Sequence, residues 1–254
     1  MPTPTTPTPT TPTHRVGVVV PSVNTVIEAW YPKVLPPGIG LNVARMLIGQ
    51  TVTPEVLREM DGYGIEAART LSTCRPDVIV YGCTASSLVG GRDYDLRLMQ
   101  ELNEATGLPC LTTTENVLRA LRHLGVHTVA AASPYTEQVG AAEVGFLVSN
   151  GYPVTGHAHL GITGGFDLAS PSAADIRKVA LSAWEDADGE ASALFIGCMN
   201  LNSHLVIAEL EAELEVPVLT ATQATIWAVL EELGSNAEIS GYGRLLEQRT
   251  SVGG

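Results

Sequence analysis

The sequence is short of positive charge. Of 254 residues, 14 are Lys or Arg against 27 Asp or Glu, a formal charge of −13. Nucleic acids and anionic membranes both need a basic face, so neither is expected as a partner. An anionic substrate stays open, provided local dipoles hold it rather than the overall field. Cysteine is scarce as well, at positions 74, 83, 110 and 198. No two form a C-x-x-C pair, which argues against a zinc ribbon or a thioredoxin motif. With no secretory signal pattern, reduced thiols in a cytoplasm are expected rather than two disulfides. No apolar run approaches the roughly 18 residues of a membrane span. Gly161-x-x-Gly164-Gly165 lacks the Gly-Lys-Ser/Thr ending of a phosphate loop. His157-x-His159 lacks an evident third metal ligand. No cofactor is expected.

What is present is apolar. Hydrophobic residues make up 45% and charged residues only 16%, enough for a sizeable core in one large or two modest α/β units. Residues 1–13, MPTPTTPTPTTPT, carry almost nothing to bury and read as a disordered tail. From Val16 onward short apolar strands alternate with amphipathic helices. Strands are expected at 16–20, 41–48, 77–82, 108–112, 127–132, 152–160, 192–197 and 216–220. Continuous apolar runs such as VGVVV suit a parallel sheet covered on both faces. Thr53-Pro54-Glu55 and Ser172-x-x-Asp175 are helix starts, each followed by an apolar stripe at helical spacing.

Three segments recur in order. DVIVYGCTASS (77–87) resembles SALFIGCMNLNS (192–203), LPCLTTTENVLRALRHLG (108–125) resembles VPVLTATQATIWAVLEELG (216–234), and GVVVPSVNT (17–25) resembles AAASPYTEQ (130–138). The offsets are similar: 198 − 83 = 115, 217 − 109 = 108 and 134 − 21 = 113. That is too long for a solenoid repeat. The expected fold is α/β with two pseudo-symmetric lobes, each a four-stranded, mainly parallel sheet flanked by helices. Residues 14–115 would form the first lobe, with 235–250 packing back on it, and 116–234 the second.

In open α/β sheets ligands bind beyond the carboxyl ends of the strands. Four loops lie there: Pro21–Thr25, Gly82–Ser87, Ser133–Thr136 and Gly197–Ser203. In each half one loop carries a cysteine after an apolar strand and a glycine. A helix start after the thiol would lower its pKa and favour thiolate. Hydroxyls, amides and free N–H groups of Ser22, Asn24, Thr84, Tyr135, Met199 and Asn200 would cradle a carboxylate or enediolate. No Lys or Arg lies in these loops. Taken singly, each cysteine is equally a small buried hydrophobe. Two at matching positions point to a pair of catalytic thiols, Cys83 and Cys198, facing one cleft. Cys74 and Cys110 read as structural, as do His204 and Arg244. The glycine-rich stretches 161–165 and 90–93 both read as mobile loops that could cover the cleft.

On these residues the chain resembles the aspartate/glutamate racemase superfamily, in the branch of maleate cis–trans isomerases and arylmalonate decarboxylases, from Val16 to Gln248. PSVNT (21–25) is similar to an isomerase loop, Cys83 and Cys198 match two catalytic-cysteine positions, and Tyr135 matches a substrate-binding tyrosine. GLPCLTT, LRHLGV, HLGITG and GYGRLL look closer to the decarboxylases, which have glycine where Cys83 stands. Where the isomerases carry an Asn after the sixth strand, this chain has Gly165. The resemblance implies a cofactor-independent isomerase of a small mono- or dicarboxylate. In it Cys83 adds to the alkene of maleate, rotation follows, Cys198 handles protons or steers, and elimination gives fumarate. A racemase or decarboxylase of the same superfamily is the alternative within enzymes. A non-catalytic two-lobed binding protein is the alternative outside them. A homo-oligomer is left open.

Overall fold

The computed structural model describes residues 12–49 and 54–248. The Thr/Pro tail up to residue 11, and Thr53 as the expected cap of the second helix, lie outside the described residues.

The first half runs β1 (His14–Pro21), α1 (Ile27–Val34), β2 (Ile39–Met46), α2 (Pro54–Ser72), β3 (Val78–Tyr81), α3 (Ala85–Gly90), α4 (Arg92–Thr106), β4 (Cys110–Thr112) and α5 (Thr113–His123). The second runs β5 (Val129–Ser133), α6 (Glu137–Ser149), β6 (Val154–His159), α7 (Ala173–Asp186), β7 (Ala193–Ile196), α8 (Ile207–Leu214), β8 (Val218–Thr220) and α9 (Ala221–Glu232), before a short α10 (Arg244–Glu247). The strands pair in the orders β2-β1-β3-β4 and β6-β5-β7-β8, with every pairing parallel. The two sheets therefore share one strand order, as the duplicated segments require.

The central strands explain why this sequence forms such sheets. Val16 to Val20 in β1 are all buried, and so are all of β3, β5 and β7. Helices cover both faces, so no polar alternation survives, and each buried Val, Leu or Ile contributes about 1.5–3 kcal/mol. The helix starts are chemically specified. The Thr112 hydroxyl accepts from Glu115 N to cap α5, and its counterpart Thr220 forms a capping box with Gln223 to open α9. Ser172 and Asp175 do the same for α7. Such caps are worth about 1 kcal/mol each.

α5 and α9 pack against each other between the halves, with the Thr113 and Thr225 hydroxyls 3.5 Å apart. Tyr31 of the first half donates to Thr222 O at 3.1 Å. Residues 235–248 touch both halves. Tyr242 packs edge-on against Trp30 of α1 at 5.4 Å between ring centroids, and Arg244 N donates to Glu211 of α8 at 2.9 Å. The stretch 90–93, expected as a loop, is instead the junction of α3 and α4, broken at Gly91 by its left-handed φ of 81°. Among the described residues no helix is long and apolar enough to cross a membrane.

Candidate active site

Cys83 follows β3. Gly82 lets that strand end lie close against β1, since a Cβ there would come within 2.9 Å of Val19 O. Thr84 and α3 follow directly. The N–H groups of Ser86 and Ala85, at the first turn of α3, favour the thiolate of Cys83. Asp61 of α2 lies close enough to oppose it, and is itself buried beneath the hydroxyls of Tyr81 and Tyr94, both of which donate to it.

Cys198 follows β7, and its loop is built differently. Its φ is 82°, a left-handed conformation that a residue with a Cβ adopts only when its surroundings impose it. Asn200 N then folds back and donates to Cys198 Sγ at 3.3 Å. A short 3₁₀ turn at Ser203–Leu205 comes next, and α8 begins only at Ile207. The helix start expected just after Cys198 is therefore absent, and its thiol draws on one local N–H and on the Tyr135 hydroxyl instead.

Both thiols open on one cavity. It is lined by Pro21, Val23 and Asn24 from the first loop; Gly82 to Ala85 from the second; Tyr135, Gly165 and Leu168; Cys198 to Asn200; and Ile48 and Leu57. The room within it is small, about 40 Å³. Of the residues singled out from sequence, Cys83, Cys198, Asn24, Thr84, Tyr135, Met199 and Asn200 all line it, whereas Ser22 does not. The Ser22 hydroxyl accepts from Ile48 N at 3.3 Å and so ties the loop to the end of β2.

The two asparagines are clamps between the halves. Asn24 Nδ2 donates to Met199 O at 3.0 Å, while its Oδ1 accepts from Val26 N and Ile27 N at 3.1 Å each, closing the start of α1. Asn200 Oδ1 accepts from Thr25 N at 3.0 Å, and its Nδ2 donates to Gly165 O at 2.9 Å. Arg45 braces the same loop by donating to Ser22 O and Asn24 O at 2.9 and 2.8 Å. The hydroxyls of Thr84 and Tyr135, 2.8 Å apart, bridge the cavity between the two halves.

Burial dominates the electrostatics. It pushes Cys83 and Cys198 each up to about 12, and the nearby Cys83 raises Cys198 further. The expectation of acidic thiols is thus corrected: two or three N–H and O–H donors do not offset complete desolvation. Burial, with the two cysteines and Glu143 nearby, also holds Tyr135 well above its usual range, so it remains a donor. Among the described residues, Cys83, Cys198 and Tyr135 are the only ionisable ones in the lining, and no Lys or Arg is among them. All four cysteines are free thiols. Cys74 is exposed, and Cys110 is buried in β4, 3.4 Å from the Thr106 hydroxyl. His204 stacks on Trp30 at 4.5 Å, outside the cavity. Among the described residues no His, Cys, Asp or Glu cluster could hold a metal ion.

The apolar wall was missed from sequence. Ile48 lies two residues past the end of β2 and Leu57 belongs to the buried stripe of α2, so neither differs in pattern from core. Leu168 follows the glycine-rich stretch 161–165, whose Gly165 closes one side of the cavity through its bond to Asn200.

Two parallel-sheet lobes that each deliver a thiol from the same loop to one cleft define a class of two-lobed cysteine enzyme. The chain belongs to the arylmalonate decarboxylase family, whose model matches residues 16–246. It is 31% identical to arylmalonate decarboxylase of Bordetella bronchiseptica, covering 93% of this chain and 98% of that one. A maleate isomerase variant from Pseudomonas putida S16, solved with maleate, superposes with a TM-score of 0.87 at 26% identity, over 93% of this chain and 98% of that one. A cysteine-to-serine variant of the Nocardia farcinica maleate cis–trans isomerase, carrying a covalent succinylcysteine intermediate, gives 0.87 at 25% identity, over 93% and 99%.

Proposed function

We propose that this protein is a cofactor-independent isomerase of a small unsaturated carboxylic acid, of the maleate isomerase kind, with Cys83 as nucleophile and Cys198 as proton carrier. The observation that carries this reading is the pair of thiols on one cavity from equivalent loops. Cys83 takes the nucleophile's part because two N–H groups at the start of α3 meet its sulfur, and the covalent intermediate in the Nocardia relative supports that chemistry.

The steps balance. Cys83 first gives its proton up to solvent; the thiolate, met by the N–H groups of Ser86 and Ala85, then forms a C–S bond to one alkene carbon, and the π electrons move to the neighbouring carbon and its carboxylate. The hydroxyls of Thr84 and Tyr135 and the N–H groups of the Cys198 loop hold that enediolate. Cys198 gives its proton to the carbon and becomes the thiolate. The new C–C single bond rotates. Cys198 takes the proton back, the C–S bond breaks, and the trans alkene leaves with Cys83 again a thiolate. In this scheme Asn24, Asn200 and Ser22 fix the loops rather than bind substrate, because their side chains are already engaged.

A second reading is an arylmalonate-type decarboxylase using Cys198 to protonate an enediolate. The 31% relative favours it, as do the apolar walls of Ile48, Leu57 and Leu168, which suit a substituent larger than hydrogen. NMR of a mixed panel of small acids in deuterated water separates the readings. Cis–trans conversion of maleate or a substituted maleate supports the first. Loss of carbon dioxide from a substituted malonate with deuterium uptake supports the second. No turnover, with both thiols unprotected from alkylation by any acid of the panel, leaves only a binding protein.

A further inference from the structure

Glu143 is a buried acid that the chemistry above does not use. It lies on α6, fully buried, and neither carboxylate oxygen has a hydrogen-bond partner. The carboxyl group sits against the residue before Cys198: a Cβ on Gly197 would come within 2.0 Å of Glu143 Oε1. One turn earlier on α6, Gly140 makes room for the His159 ring, which a Cβ there would meet at 2.3 Å. His159 Nδ1 pairs with the Ser133 hydroxyl at 2.9 Å, and Ser133 in turn is the side chain that most favours ionised Glu143. Gly197 thus leaves room for a carboxyl group directly behind the Cys198 loop, and Gly140 for the ring beside it, at the cost of a poorly satisfied polar group in the core.

We propose that Glu143 is a positioning residue for Cys198: it is held behind Gly197 as a neutral carboxyl, and its charge state decides how readily Cys198 becomes a thiolate. The inference rests on Cys198 being the thiol that must change protonation during turnover.

The groups facing Glu143 are few. Tyr135 and Cys198 are both raised by its charge, and Cys83 acts on the same pair. His159, from β6, is held neutral by burial and by His157 beside it, with Glu137 opposing. α3, which packs on α6, carries no charged residue. Among the described residues only the Ser133 hydroxyl favours a negative charge on Glu143, and burial outweighs it, pushing Glu143 up to about 8. Near neutral pH the proton stays on, and Cys198 sees no charge behind it. In alkaline solution Glu143 ionises and opposes the thiolate.

The test needs no substrate, so it fails or succeeds separately from the isomerase reading. Alkylation of Cys198 by iodoacetamide is followed by peptide mass spectrometry from pH 6 to 10 in the unsubstituted protein and in Glu143→Gln. One pKa unit is a tenfold change in thiolate, so Cys198 of Glu143→Gln is expected to react several-fold faster at pH 9. The two proteins should converge at pH 6. Coincident profiles in a folded Glu143→Gln protein overturn the proposal. Infrared titration of both proteins is the second arm. Because Asp61 is a buried acid as well, the band that counts is the one missing from Glu143→Gln: such a protonated carboxyl band, present at pH 6 and lost by pH 10, supports the proposal, and identical spectra of the two proteins at pH 6 overturn it.

Discussion

After β3 the chain turns straight into a helix, and Cys83 lies at that turn with ordinary backbone geometry. After β7 the chain makes no helix for several residues, and Cys198 is forced into a left-handed φ of 82°. The residue two beyond each cysteine differs as well. It is Ala85 in the first half and Asn200 in the second, and Asn200 spans three segments through Thr25, Gly165 and its own cysteine. The acids behind them differ again: Asp61 accepts from two tyrosines, whereas Glu143 has only the Ser133 hydroxyl to favour its charge. A duplicated unit has kept its strand order and its cysteine while the surroundings of the two thiols diverged. One thiol is held by a helix start and suits attack. The other is held by a strained loop, a tyrosine and an isolated acid, and suits passing a proton.

The largest effects should come from removing each sulfur. Cys83→Ala is expected to abolish isomerisation, a loss of at least ~10³-fold as for other covalent nucleophiles. Cys198→Ser should lose about 10²–10⁴-fold, the usual worth of a general acid, and keep measurable turnover because a hydroxyl still hydrogen-bonds an enediolate. Steady-state assays decide both, and equal losses would erase the distinction drawn between the loops. Next in size, Asn200→Ala should lower urea stability by about 1–2 kcal/mol, because it strands the buried Gly165 carbonyl and frees Thr25 N–H at the loop.

The backbone strain gives a subtler contrast. Cys198→Gly should be more stable than Cys198→Ala by about 1 kcal/mol, since only glycine tolerates positive φ freely. At Cys83, where φ is ordinary, Ala should be the more stable of the two. Thermal denaturation of the four variants checks this, and the same order at both sites would contradict it.

The last contrast is read as a slope with pH. Glu143 is protonated in the folded protein up to about 8 and ionises near 4.5 when exposed. Between those values the unfolded chain binds fewer protons, so this group's contribution to stability falls as pH rises, and is fully present only below 4.5. Glu143→Gln should flatten that part of the stability profile. An unchanged slope would mean that another group carries it.

Most of the framework was legible in the sequence. VGVVV, DVIVY and SALFI can only be strands buried on both faces, and the repeated Gly-Cys after two of them placed both thiols at one end of matching sheets. The capping box at Ser172 and the matched helices α5 and α9 were equally plain. Four features were not. The left-handed φ of Cys198 leaves no trace in a sequence that puts cysteine, not glycine, there. The missing helix after Cys198 was hidden by analogy with the first half. The shift in both thiol pKa values depends on total burial, which the local donors do not reveal. Glu143 was visible in principle: it lies four residues after Val139 and three before Phe146, on a stripe that is otherwise apolar.

The central claim is that the two thiols divide the labour, with covalent attack belonging to Cys83. Its most direct measurement is peptide-mapping mass spectrometry of the Cys198→Ser protein after incubation with maleate or a substituted maleate, with the unsubstituted protein beside it. An adduct of the diacid's mass on the peptide containing Cys83, absent from Cys83→Ala, is the predicted result. An adduct on Cys198 of the unsubstituted protein with none on Cys83 would contradict it and reverse the two roles.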